Sequence, residues 1–165
     1  MIIFVKNKAT LLIDDFKFKC STGKKGFSKK KVEGDLTTPR GIFNLGNIYY
    51  RSDRIQKPLS KLKLISIEKN MGWCDDPSSK FYNKLIKIKK NLRISYEKLY
   101  RKDYKYDLFI LIKYNYKKPV KFKGSAIFLH LTTNYSPTKG CIALSEKDFL
   151  ILAKLINKKT KIKIN

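Results

Sequence analysis

The chain has 165 residues, with 38 basic and 13 acidic side chains and a formal net charge of +25. That length suits a single domain over 1–165 that buries its own core, so neither a disulfide nor a metal staple is required. No run approaches the roughly 18 apolar residues of a membrane span, and Ile2-Ile3-Phe4-Val5 is too short for the apolar region of a signal peptide.

Most of the chain reads as strands. Met1 to Lys6 and Ala9 to Asp14 are β-rich runs around Asn7-Lys8, which suits a hairpin. Phe16-Lys17-Phe18-Lys19-Cys20 alternates apolar and charged residues, the period of a half-buried strand. Ser21 to Pro39 is rich in Gly, Ser, Thr and Lys and reads as a surface loop. Ile42 to Tyr50 and Leu62 to Ile67 resume the strand pattern. Asn70 to Asn83 reads as irregular, with Trp73 and Tyr82 as anchors. Ser95 to Lys102 reads as a helix with a serine cap. Tyr106 to Tyr114 is a near-continuous apolar run, as expected of a central strand, and Ser125 to Leu131 follows it. Ser145 to Asn157 is the stronger helix: Ser145 caps, Glu146 and Asp148 open it, and Lys154, Lys158 and Lys159 close it. Thr160 to Ile164 alternates as a last strand. The expected class is mostly β with a few helices (α+β).

One spacing carries chemistry. His130, the only histidine, ends a strand, and Cys141 follows eleven residues later, just after Gly140. The intervening residues, 131 to 140, form a long loop, and long loops in compact domains are often functional. A thiol and an imidazole on one scaffold suffice for acyl transfer: the imidazole takes the thiol proton and later protonates the leaving amine. Gly140 permits unusual backbone angles, and the amides of Gly140 and Cys141 are candidates for an oxyanion hole. Thr138 offers a hydroxyl nearby. The same residues also fit a small buried cysteine, a structural histidine and ordinary turn chemistry.

The charge points to polyanions such as nucleic acid, an anionic membrane surface or a cell wall. Only five of the basic residues are arginines, the preferred residue for bidentate phosphate and base contacts, so no specific nucleic-acid partner is expected. Cys20, Cys74 and Cys141 are an odd number, far apart, without paired ligand spacing, so neither a disulfide framework nor a metal site is expected. No cofactor is expected, and a monomer is.

The stretch Thr138-Lys139-Gly140-Cys141-Ile142-Ala143-Leu144, behind Ile127-Phe128-Leu129-His130, resembles the active-site block of the L,D-transpeptidase (YkuD-like) catalytic domain. Glu33-Gly34-Asp35-Leu36-Thr37-Thr38-Pro39-Arg40-Gly41-Ile42-Phe43 resembles that family's upstream segment. Tyr50 to Arg54, Gly72 to Pro77, Tyr82-Asn83 and Gly124 to Phe128 are similar to a branch with a short His-to-Cys loop. The resemblance implies a β-sandwich or barrel with a C-terminal helix and the cysteine in a cleft. It implies that Cys141 attacks an amide of a peptidoglycan stem peptide, with His130 as general base and then acid. The backbone carbonyl of Leu131 would orient the imidazole, and amides around Gly140 would hold the oxyanion. A thioester on Cys141 then passes to an amine, or to water in a hydrolase that uses the same site. A non-catalytic basic binding protein is the remaining alternative. The resemblance places the protein in the periplasm or cell envelope, while the lack of a visible leader leaves the cytoplasm open.

Two departures stand out. Lys139 occupies a position where many members have histidine, and Ala143 and Leu144 stand where many have an arginine. The substrate carboxylate is therefore without an assigned holder. Lys139 and Arg40 are candidates, Trp73 is a candidate wall of the cleft, and Lys139 is a candidate for lowering the Cys141 pKa.

Overall fold

The computed structural model describes all 165 residues. At the N-terminus, β1 (Ile2–Asn7), β2 (Thr10–Ile13) and β3 (Phe16–Lys19) form an antiparallel meander. Alternation along them points Ile3, Val5, Leu11, Ile13 and Phe18 inward and leaves lysines outside. The long segment to residue 40 holds only β4 (Phe27–Ser28) and β5 (Thr38–Pro39), which pair with each other. Then come β6 (Gly41–Tyr50), β7 (Leu64–Ser66), β8 (Met71–Cys74), β9 (Leu85–Lys87) and β10 (Tyr96–Lys98). The remainder is β11 (Leu108–Ile112), β12 (Phe128–Leu131), β13 (Ile142–Leu144), α1 (Glu146–Leu155) and β14 (Lys161–Ile164).

Nine strands make one sheet in the order β13-β12-β11-β6-β14-β1-β2-β3, with β7 paired beside β6. Just past β3, Ser21 exchanges backbone hydrogen bonds of 3.0 and 2.9 Å with Ala143 of β13, joining the two ends of the sheet. The result is a nearly closed barrel whose interior holds Ile3, Val5, Ile110, Leu129, Ile142 and Ile162 among others. Helix α1 covers one side with Phe149, Leu152 and Ala153. Ser145 caps it by accepting the Asp148 N–H at 3.2 Å. No helix is long and apolar enough to cross a membrane.

A three-stranded sheet, β10-β8-β9, packs outside the barrel. Between it and the barrel lies a second, aromatic core of Tyr49, Trp73, Tyr106, Phe109 and Phe128 with Leu99 and Leu111. Strands β11 and β12 are therefore buried on both faces. Leu129 and Leu131 enter the barrel, while Phe128 faces the aromatic core. His130, two residues on, shares the Phe128 face.

Two expectations are corrected here. Ser95 to Lys102 holds no helix; Tyr96–Lys98 is a strand paired antiparallel with β8, so α1 is the only helix. The "irregular" stretch 70–83 contains β8 itself, and β9 follows it. Strands of three or four residues show one or two alternations, too few to separate from a short helical turn. Arg51 is 2% exposed. It holds Asp53 through Nε and Nη2 at 2.8 and 2.7 Å and lies 3.5 Å over the Tyr100 ring.

Ile162 of β14 is fully buried between β6 and β1. Its replacement by alanine is expected to cost about 2–5 kcal/mol, seen as a lower denaturation midpoint in urea.

Candidate active site

Strands β12 and β13 run parallel, with His130 opposite Ala143 and Leu129 opposite Ile142. This register carried one residue back sets Cys141 beside Phe128, on the face that His130 also uses. Thiol and imidazole are thus diagonal neighbours on adjacent strands. Parallel pairing demands a crossover rather than a hairpin, and residues 132–141, between β12 and β13, are that crossover.

The His130 Nδ1 lies 2.9 Å from the Leu131 carbonyl oxygen. A carbonyl only accepts, so Nδ1 carries the proton and Nε2 keeps a free lone pair. The ring packs edge-on against Tyr106 at 5.5 Å. Burial lowers the His130 pKa to about 4, with the charges of Lys105 and Arg101 adding to it and the Leu131 bond opposing. The imidazole is neutral at physiological pH.

The Cys141 thiol donates to the Ala126 carbonyl at 3.3 Å and accepts the Phe128 N–H at 3.4 Å. Burial pushes its pKa up to about 12, and the Glu97 carboxylate pushes the same way. The Phe128 N–H, the Lys31 ammonium and the Tyr106 hydroxyl oppose without prevailing. The resting pair is therefore thiol and imidazole, not thiolate and imidazolium, and the thiol's hydrogen bond goes to Ala126 rather than to His130. Both side chains nevertheless line one cavity of about 330 Å³, with Tyr106, Thr138 and Lys139.

Gly140 has φ +141, and a Cβ there would lie 2.8 Å from the Thr37 carbonyl oxygen, so only glycine fits. Its N–H donates to Thr138 Oγ1 at 3.1 Å, and the Thr138 hydroxyl donates to the Cys141 carbonyl at 2.6 Å. The Cys141 N–H makes no hydrogen bond within the protein. Of the two amides considered for an oxyanion, that of Cys141 is the unengaged one.

A second cavity, of about 360 Å³, meets the first at Cys141, Lys139 and Glu97. It is lined further by Lys31, Glu33, Asp75 and Ser125. Lys31 is 3% exposed and pairs with Asp35 at 2.7 Å. Burial works against the Asp35 carboxylate, yet Lys31 and the Val32 and Thr37 N–H groups outweigh it and hold it down at about 2.

Lys139 and Thr138 thus sit with His130 and Cys141; two other candidates do not. Arg40 is exposed and lines a separate cationic cavity with Lys6, Lys8, Lys29 and Lys163. Trp73 is fully buried, edge-on to Phe128 at 5.3 Å, and its Nε1–H donates to Asn83 Oδ1 at 2.9 Å. It supports β12 from behind and lines neither cavity, because β8 carries its side chain into the aromatic core. Glu97, Tyr106 and Lys31 were missed. Lys31 is one of a run of three lysines, and Glu97 sits in a segment read as helical, so neither carried a distinguishing signal. Cys20 and Cys74 are buried free thiols elsewhere, and no three His, Cys, Asp or Glu side chains group as metal ligands.

Comparison with known proteins gives the family and the fold. A family model described as the L,D-transpeptidase catalytic domain (YkuD) matches residues 1–164. Among solved structures, the chain is similar to the helical cell shape determining protein Pgp2 from Campylobacter jejuni, with TM-score 0.54 and 18% identity over 99% of this chain and 46% of that one. A point mutant of Pgp2 gives TM-score 0.53 at the same identity and coverage. The chain spans about half the length of these structures, and at this identity the likeness speaks to the fold. Among curated proteins, none matches.

With a thiol pKa near 12, the thiolate fraction rises tenfold per pH unit across the neutral range. Alkylation of Cys141 by iodoacetamide should climb steadily from pH 6 to 9; a plateau beginning below pH 8 would contradict the neutral pair.

Proposed function

The chain belongs to the L,D-transpeptidase catalytic domain family, and on that premise we propose that it catalyses cysteine-dependent acyl transfer on peptidoglycan stem peptides in the cell envelope. The observation that supports this best is the parallel register of β12 and β13. It puts Cys141 and His130 on one face and in one cavity, with Nδ1 of His130 tied to the Leu131 carbonyl and Nε2 free.

The donor carbonyl enters beside Cys141. Nε2 of His130 takes the thiol proton as the sulfur leaves its bond to Ala126 and forms the S–C bond. The oxyanion faces the free Cys141 N–H. Collapse breaks the C–N bond, and the imidazolium returns its proton to the departing amine of the terminal D-residue. A thioester remains on Cys141. An acceptor amine, or water, then attacks it, gives its proton to His130, and restores the thiol.

A neutral resting pair suits this sequence. Proton transfer is coupled to attack, so no charge is buried before substrate arrives. Lys105, Lys139 and Arg101 surround the His130 side of the cleft and provide the positive wall that the carboxylate of the leaving residue requires. Arg101 is steadied there by Asp103 at 2.6 and 2.9 Å. This assigns the carboxylate to the wall formed by these residues instead of Arg40.

Incubation with purified stem tetrapeptides should add the acyl mass to Cys141, detected by mass spectrometry. Cys141→Ala should show no adduct, and His130→Ala should acylate about 10²–10⁴-fold more slowly. Absence of any adduct on the wild type would remove the proposal.

A further inference from the structure

The second cavity has a charge that its surroundings do not explain. In a chain with 38 cations and 13 acids, three carboxylates, those of Glu33, Asp75 and Glu97, line this one space beside Cys141. None of the three has a lysine or arginine nitrogen within 4.0 Å; the ion pairs of the protein use Asp35, Asp53, Asp103 and Asp107 instead. Lys31, which also lines the cavity, is committed to Asp35. Lys139 is the one cation there without an acidic partner.

The three acids are held apart by different partners. Glu33 Oε2 accepts from the Tyr82 and Ser125 hydroxyls at 2.5 and 2.7 Å. Glu97 Oε2 accepts from the Tyr106 hydroxyl at 2.6 Å, leaving its Oε1 without a protein partner. Asp75 Oδ1 is buried and has no hydrogen-bond partner. Glu97 Oε1, which is not enclosed, is the acceptor open to a bound donor, and a charge-assisted bond there is a strong one. The three do not converge as metal ligands, so the occupant they fit is an organic cation with several N–H donors. A primary ammonium, with three, is that group.

Glu97 is the member shared by both cavities, so it lies next to the reacting sulfur. We propose that Glu97 is the binding residue for a side-chain ammonium on the donor's acyl residue, received in the acidic cavity while the leaving carboxylate lies against the cationic wall beyond Cys141. This rests on the reading of Cys141 as the acylated nucleophile. The two cavities then differ in sign, and a zwitterionic donor has one favourable orientation across the sulfur. The ammonium sits at the end of a short flexible side chain, so its receptor belongs in a neighbouring cavity rather than at the sulfur. Asp75, lining the same cavity, adds its negative charge to the cradle.

The test compares two stem tetrapeptides, one with the side-chain amine free and one with it acetylated, on wild type, Glu97→Gln and Asp75→Asn. The readouts are acyl-enzyme mass on Cys141 and kcat/KM for release of the terminal residue. Wild type should favour the free amine by about 10- to 100-fold, the range of a charge-assisted hydrogen bond. Glu97→Gln should lose that preference, its ratio of rates on the two donors falling towards one, and Asp75→Asn should reduce it. Glu97→Gln keeping the full preference would overturn the assignment. Should that variant not fold, equal wild-type rates on the two donors would overturn it as well. Acylation without preference rejects this inference alone; no acylation of wild type by either donor rejects the acyl-transfer reading and this inference with it.

Discussion

The segment just after β3 holds the chain on both sides of Cys141, and the site depends on it. Ser21 pairs reciprocally with Ala143, while Thr138 donates its N–H to Thr22 at 2.9 Å and accepts that of Lys24 at 2.9 Å. These bonds cover the outer edge of β13, which would otherwise be a three-residue edge strand with little to hold its register. Gly23 makes the approach possible: a Cβ there would lie 2.6 Å from the Leu36 carbonyl oxygen. The other side of the loop rests on Thr37 through the close contact at Gly140. Cys141 is thus gripped between two parts of a single N-terminal segment, and its strand register follows from that grip.

A second polar centre works behind the nucleophile. Asn83, buried and with φ 57, accepts the Trp73 indole N–H and the Ala126 N–H, and donates to the Tyr114 and Asn115 carbonyls. Ala126 supplies the carbonyl to which the thiol donates. One side chain therefore links β8, the connection after β11 and the acceptor of the Cys141 proton. Its four bonds satisfy every hydrogen-bonding position of the amide, which is how a buried polar group is accommodated at low cost.

The long-period features of this fold were legible in the sequence. The β1–β2 hairpin, the apolar run of β11 and the capped helix α1 each contain enough repeats of one pattern to be identified. The adjacency of His130 and Cys141 was legible too, because a lone histidine, a glycine and a cysteine at loop ends are chemically distinctive. The small outer sheet was not legible, since Tyr96-Glu97-Lys98 is as short as a turn and its pairing with Trp73 depends on distant chain. Nor was the direction of β13, because spacing does not distinguish a hairpin from a parallel crossover. Lys31 and Glu97 escaped for a related reason: burial of a charge is decided by tertiary packing, and the local residues look like ordinary surface.

The place of β14 has a kinetic consequence. It is the strand that joins β6 to β1, so β13-β12-β11-β6 and β1-β2-β3 meet only through the Ser21–Ala143 bridge until Lys161–Ile164 inserts between them. Ile2 meets Lys161 across nearly the whole chain. Contacts of that separation come at a high loop-closure entropy and place the protein among slow-folding topologies, in the millisecond-to-second range. During synthesis the barrel stays open until β14 clears the ribosome. The nucleophile loop needs Ser21 to Lys24 across the other seam of the same barrel, so its shape and the closure of the barrel are coupled.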